Sequence, residues 1–340
     1  MGPNDIWYGR EPLPRLLSAL LAPLGWLYCG VAMLRAIGYR RGWLTSTDVG
    51  APVIVVGNLS VGGTGKTPLV GWLAAHLSEL GFSPGIAARG YGAVAGDSDI
   101  GAVRSVPPDG DPAVFGDEPV LLAASGEAAV AVGRDRVAVA RALVEQQGRE
   151  VIITDDGLQH YRLRRRIEIL VADGSRGHGN GRCLPAGPLR EPVSRAAHAD
   201  LRVATGGGLP GMHSVLLVPG AARNLVEPDR TLSLERFAGQ RVVAVAGIGN
   251  PERFFGMLRA MRIEVDGRAY PDHHPFRPED LDSWGDGPVL MTEKDAVKVR
   301  RIRVRQNHWC APVAASPSDG FVRDLAGLLG ERQILPDVGG

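Results

Sequence analysis

The sequence predicts an α/β protein with a mainly parallel sheet, preceded by an apolar helical segment. Three observations carry this. Short apolar runs alternate with helical stretches, a glycine-rich loop joins one such run directly to a helix, and the alternation restarts after an interruption near residues 220–240. In order, APVIVVGNLS reads as a short buried strand and PLVGWLAAHLSELG as the helix after it, closed by Gly81. FSPGIAA is a second strand candidate, followed by the loop RGYGAVAGDSDIG. AAVAVG, VIITDD, IEILVADG and DLRVATG continue the strands, and RDRVAVARALVEQQG is a helix with Gly148 past its end. From Arg241, RVVAVAGIG, NPERFFGMLRAM and IEVDGRAY repeat strand, helix and strand, and PVLMTEKDAVKVR is a strand running into a loop or helix start. The expected division is 1–45 as apolar N-terminal helices, 46–225 as the larger domain and 226–340 as a smaller C-terminal α/β domain.

The chain has 340 residues, 44% hydrophobic and 22% charged, with a net charge of +1. This excludes disorder of the whole and a polytopic membrane protein, and leaves no electrostatic case for a nucleic-acid partner. Three scattered cysteines without a C-x-x-C argue against a disulfide framework or a structural zinc and suit a reducing cytosol. Of 38 basic residues, only Lys66, Lys294 and Lys298 are lysines. Such a bias fits a GC-rich genome, and against it a retained lysine marks a place that needs a compact ammonium rather than a planar fork.

Between Arg15 and Arg35 runs LLSALLAPLGWLYCGVAML, nineteen uncharged residues without the layout of a secretory signal. Pro23, Gly25 and Gly30 are expected to break it into shorter helices. Trp7, Tyr8, Trp26, Tyr28, Tyr39 and Trp43, with the bordering arginines, suit a membrane interface. A pair of buried core helices and a true span are the alternatives.

VIVVGNLSVGGTGKTPLV sets a strand against Ser60, Val61, Gly62, Gly63, Thr64, Gly65, Lys66 and Thr67, then a helix. Glycines let backbone N–H groups turn toward phosphate oxygens, the helix N-terminus adds partial positive charge, Lys66 reaches the outer phosphates and Thr67 is a magnesium ligand. Ser60 stands where the strict G-x-x-x-x-G-K-[ST] pattern has glycine. VIITDDGLQH ends an apolar strand on Asp155 and Asp156, where a parallel sheet presents a carboxylate for Mg²⁺ beside such a loop. Gln159 and His160 either orient a substrate or cap the loop. No guanine-reading N-K-x-D is present, because Thr292-Glu293-Lys294-Asp295 has its lysine one place too late. The residues therefore point to Mg²⁺–ATP and to small-molecule phosphotransfer or ligation, without naming the acceptor.

Eight segments together resemble the tetraacyldisaccharide 4′-kinase family of lipid A biosynthesis: VGNLSVGGTGKTP (Val56–Pro68), ARGYG (Ala88–Gly92), GDEPVLLA (Gly116–Ala123), TDDGLQH (Thr154–His160), LPAGPLREP (Leu184–Pro192), AGIGNPERF (Ala246–Phe254), DHHPF (Asp272–Phe276) and TEKDAVK (Thr292–Lys298). Ser60 belongs to that family's pattern. The resemblance implies two α/β/α lobes across a cleft, the larger like a P-loop NTPase, joined by a short β hinge. It also implies transfer of the ATP γ-phosphate to the 4′-hydroxyl of a tetraacylated glucosamine disaccharide 1-phosphate. The alternative is a P-loop kinase or ligase acting on a soluble acceptor. By residue type GDEP suits a helix N-terminus; the resemblance instead implies that Asp117 is the catalytic carboxylate, paired with His273. Glu118 then assists with metal or substrate, Arg190 clamps the substrate's 1-phosphate, and Arg89, Tyr91, Asp156 and Gln159 line the acceptor site. Lys294 and Lys298 are either nucleotide-facing or structural. The implied setting is the cytoplasmic face of the bacterial inner membrane, with the lipid substrate and membrane surface as partners, no nucleic acid and no obligate protein partner.

Overall fold

The computed structural model describes residues 2–9, 11–90, 102–332 and 334. After two N-terminal helices, α1 (Pro3–Tyr8) and α2 (Pro12–Arg40), the larger lobe runs β1 (Val53–Gly57), α3 (Lys66–Glu79), β2 (Pro84–Ala88), β3 (Arg104–Val106), α4 (Pro112–Phe115), α5 (Asp117–Ala124), β4 (Ala129–Val132), α6 (Arg136–Gln147), β5 (Val151–Asp155), β6 (Ile167–Asp173), β7 (Leu201–Thr205) and β8 (His213–Pro219). The smaller lobe follows with β9 (Ala222–Asn224), β10 (Thr231–Leu232), β11 (Arg241–Ala246), α7 (Pro251–Ala260), β12 (Glu264–Ala269), α8 (Pro278–Asp282), β13 (Val289–Met291), α9 (Glu293–Val299) and β14 (His308–Cys310). The chain then recrosses to add β15 (Val313–Pro317) and α10 (Asp319–Glu331) to the larger lobe.

The larger sheet has nine strands in the order β15-β8-β7-β6-β1-β5-β2-β4-β3, parallel except at its two edges. Its central strands are apolar and buried on both faces, as a parallel sheet covered by helices requires. Ile54 and Val56 face Leu69, Leu73 and Leu77 of α3 with Phe321, Leu325 and Leu329 of α10, while Val53 and Val55 face Val139 and Leu143 of α6. Helix α6 starts where Asp135 accepts the Val137 N–H at 3.0 Å and stops where Gly148 turns left-handed at φ 64°. The smaller sheet has six strands, β10-β9-β14-β13-β11-β12, with α7 on one face and α8 and α9 on the other.

Two expectations differ from what is seen. The unit expected at 226–340 is not one chain segment: it begins at β9, and residues 313–331 pair with β8 and cover the larger sheet. The N-terminal segment is not broken either, because α2 continues for 29 residues through Pro23, Gly25 and Gly30. Pro23 removes one backbone donor but leaves the flanking turns intact. Small residues are what α2 needs on its inner side. A Cβ on Gly25 would lie 2.9 Å from the Cys183 carbonyl oxygen, and Ser18 Oγ donates to the Ala186 carbonyl at 2.7 Å. Large residues point outward, with Leu20, Trp26 and Leu27 each about 70% exposed. Among the described residues α2 is the one helix long and apolar enough to cross a membrane.

Candidate active site

The site lies at the carboxyl ends of β1 and β5, where the strand order reverses and parallel sheets open a crevice. Gly62 (φ 109°) and Gly65 (φ 78°) let the loop after β1 curl back before Lys66 opens α3. Lys66 Nζ is 3.0 Å from Asn58 Oδ1 and 3.4 Å from Asp156 Oδ1. The register pairs Val56 with Asp155, so the carboxylates at the end of β5 stand beside this loop. Thr67 is buried on the first turn of α3, and the Thr64 hydroxyl is buried without a hydrogen-bond partner.

The two aspartates hold opposite electrostatic positions. Burial pushes the Asp155 carboxyl up to about 7, helped by the negative charge of Glu118. Its Oδ1 is buried with no hydrogen-bond partner. Asp156 is buried too, but Lys66 and Arg190 outweigh the burial and hold its carboxyl well below the usual range. Arg190 Nη1 donates to Asp156 Oδ2 at 2.8 Å and to Gln159 Oε1 at 3.4 Å, and Gln159 donates to the Asn58 carbonyl at 3.2 Å. Arg190, Asp156 and Gln159 thus form one cluster directly against Lys66. Arg89 follows β2, and its charge helps burial and Arg136 push the His160 imidazole down to about 4. Tyr91 lies outside the described residues.

Asp117 opens α5, so it occupies a helix N-terminus and meets the smaller lobe there. It is 4% exposed, and His273 Nδ1, reaching over from the smaller lobe, lies 3.1 Å from both carboxylate oxygens. Burial works against the Asp117 charge, but the His273 hydrogen bond and the charges of Lys294 and Lys298 prevail, and its carboxyl sits below the usual range. The same hydrogen bond raises His273 above its ordinary 6.5. His273 has φ 60°, a backbone turn in the left-handed region that aims the ring across the gap. Lys298 Nζ is 2.9 Å from Asp295 and 4.0 Å from Asp117, and Lys294 Nζ pairs with Glu118 Oε1.

The lobes touch again at the phosphate loop itself. A Cβ on Gly249 would stand 2.7 Å from the Gly63 nitrogen, a contact only a bare backbone allows. Between them lies a cleft of about 530 Å³, walled by the phosphate loop, Glu118, Leu216 to Pro219, Ile248 to Asn250 and Thr292 to Lys294. Sequence reasoning missed Asn58, which holds Lys66, and Arg136, 2% exposed, which donates to the Gly133 carbonyl at 2.8 Å and the Asp155 carbonyl at 3.4 Å. Asn58 sits inside the first matching segment, whereas Arg136 reads locally as an ordinary first-turn helix residue.

A phosphate loop and strand-end carboxylates on one lobe, closed by a histidine and lysines from another, define a two-lobed P-loop enzyme. The profile of the tetraacyldisaccharide-1-P 4′-kinase family matches residues 17–329. The chain is 48% identical over 313 residues to the tetraacyldisaccharide 4′-kinase of Alkalilimnicola ehrlichii, covering 92% of each, and 48% identical over 314 residues to that of Chromobacterium violaceum, covering 88% of this chain and 90% of the relative. Its fold is similar to a crystal structure of LpxK from Aquifex aeolicus in complex with ATP, with TM-score 0.75 and 27% identity over 93% of this chain and 99% of that one. The chain belongs to the tetraacyldisaccharide-1-P 4′-kinase family and is an ATP-dependent kinase of lipid A biosynthesis.

Proposed function

We propose that Asp117 accepts the proton of the 4′-hydroxyl as that oxygen attacks the γ-phosphate, with His273 holding the carboxylate in place. The observation that carries this reading is the 3.1 Å contact of His273 with both oxygens of Asp117, whose chain neighbour Glu118 lines the phosphate-loop cleft. A sugar hydroxyl is a weak nucleophile; a positioned carboxylate removes its proton as its oxygen bonds to the γ-phosphorus, while the bond from that phosphorus to the β,γ-bridging oxygen breaks and ADP leaves. Asp117 is ionised at neutral pH, so it is ready to accept. The proton then rests on Asp117, and the Nδ1–H of His273 keeps that carboxyl oriented. Backbone N–H groups from Ser60 to Gly65, with Lys66, bind and orient the nucleotide phosphates. Arg190, Asp156, Gln159 and Arg89 border the acceptor side.

The residues at the end of β5 fit a divalent cation. Asp155 has an orphaned buried oxygen and a raised carboxyl, the mark of a site short of positive charge. Two carboxylates and a hydroxyl are a hard oxygen set suited to Mg²⁺. Among the described residues no three His, Cys, Asp or Glu side chains form a self-contained metal site, as expected where Mg²⁺ is also held by phosphates. Asp155, Thr67 and Glu118 would hold the ion, which when bound neutralises charge on the polyphosphate.

The lipid acceptor places the work at a membrane surface. Helix α2 presents Leu20, Trp26 and Leu27 to the outside and ends in Arg40 and Arg41, the layout of an interfacial helix beside anionic headgroups. We place the protein on the cytoplasmic face of the bacterial inner membrane. The test of the function is transfer of labelled γ-phosphate from ATP to tetraacyldisaccharide 1-phosphate in mixed micelles. The wild type forms the 4′-phosphorylated product and Lys66→Ala forms at most about a hundredth as much; labelling of a soluble sugar in preference to the lipid would contradict the assignment.

A further inference from the structure

The three lysines of this arginine-rich chain converge on one place. Lys66 opens α3, while Lys294 and Lys298 lie one turn apart on α9 and face the first turn of α5. The two α9 lysines are not equivalent. Lys298 is enclosed: its Nζ is 2.9 Å from Asp295 and 5.0 Å from the Phe276 ring centre, and Asp295 is itself fixed by the Gly247 N–H at 2.8 Å. Lys294 instead lines the nucleotide cleft with Gly63 to Pro68 and Glu118, and among the described residues its ion-pair partner is Glu118. Glu118 in turn is a carboxylate placed to meet a divalent cation with Asp155.

We propose that Lys294 is a second phosphate-binding lysine, supplied by the smaller lobe, which exchanges Glu118 for the γ-phosphate of bound ATP. This rests on the nucleotide-site reading given above. Its logic is charge matching. A polyphosphate with Mg²⁺ brings both an anion for Lys294 and a cation for Glu118, so one ion pair in the cleft is replaced by two. A compact ammonium on a flexible stem can make that exchange of partners, whereas a guanidinium locked in a planar fork on a carboxylate is held by it. Because α9 also carries Lys298 against Asp117, the exchange would draw the catalytic carboxylate and the smaller lobe onto a nucleotide that has its third phosphate.

The test compares two nucleotides in the full chain. Affinities of a non-hydrolysable ATP analogue and of ADP, both with Mg²⁺, are measured by calorimetry for wild type and Lys294→Met. A charge-assisted contact to the γ-phosphate predicts at least about a tenfold loss for the ATP analogue with ADP affinity unchanged within about twofold, and Lys294→Arg restores less than half of the loss. Equal loss for both nucleotides, or no loss for either, overturns the proposal. Failure of the wild type to bind ADP would instead defeat the nucleotide-site reading itself. Should Lys294→Met not fold, the wild type supplies the readout. Reductive ¹³C-methylation labels only three lysines and the N-terminus, and the Lys294 signal, assigned with Lys294→Arg, must shift with the ATP analogue and not with ADP. An identical spectrum with both nucleotides again overturns it.

Discussion

Asp117 meets two demands that pull its carboxyl in opposite directions, since it is buried yet must be charged. Its neighbours decide the outcome: His273 bonds it and two lysines surround it, so it stays ionised. The pair therefore has a defined pH window. Asp117 has its value lowered, so its contribution to stability exists above the ordinary carboxylate range and is lost as acid protonates it. His273 has its value raised above 6.5, so its contribution is complete below 6.5 and is lost as the pH climbs through that raised value. The melting-temperature gap between wild type and His273→Ala should accordingly be widest at about pH 6 and narrow as the pH is raised; a gap that grows with pH would contradict the pairing. Much of this was legible in GDEP and DHHPF, and the two readings of GDEP are compatible, because Asp117 is both a first-turn helix residue and the carboxylate that meets His273. The proximity of Lys298 was not legible. Its side chain reaches Asp117 only because α9 packs on α5 across the lobes.

At the scale of elements, α2 is an inverted helix, small where it meets the protein and large where it does not. Its small seam is a fit rather than a gap, and Gly25→Val would drive a side chain into the Cys183 backbone. We expect a loss of about 1–3 kcal/mol in the docking of α2, seen as faster proteolysis before Arg40 while the phosphate-loop domain stays resistant. Replacing Leu20, Trp26 and Leu27 together by Ser should leave stability nearly unchanged and weaken flotation with anionic vesicles about tenfold or more; undiminished flotation would remove α2 as the docking element. The apolar run and its aromatic borders were legible in the sequence. Its continuity was not, since Pro and Gly signals describe local preference while a long helix is held by its neighbours. The start of α5 was legible in GDEP, but its extent was not, because eight residues give too little periodicity.

Over the whole molecule the chain passes from the larger lobe to the smaller and back. Alternating strands and helices revealed two α/β units, but nothing local in VAASP or the helix after it indicates which sheet they join. That choice is made by packing. Phe321, Leu325 and Leu329 of α10 are fully buried against the larger sheet, so α10 stabilises the lobe that carries the phosphate loop. Phe321→Ala should cost about 3–5 kcal/mol of larger-lobe stability by urea denaturation. An effect confined to the smaller lobe would contradict this topology. Two crossings also tie the lobes more closely than a single linker does, which suits an active site assembled from both.

The central claim is that Asp117 and His273 act as one unit across that divide. Single-turnover transfer of labelled γ-phosphate to the lipid acceptor tests it, using Asp117→Asn, His273→Ala and the double variant at saturating ATP. The account predicts that Asp117→Asn slows transfer about a thousandfold with ATP affinity nearly intact, and that adding His273→Ala slows it little further. Multiplicative losses in the double variant, or an Asp117→Asn enzyme as fast as the wild type, would contradict it.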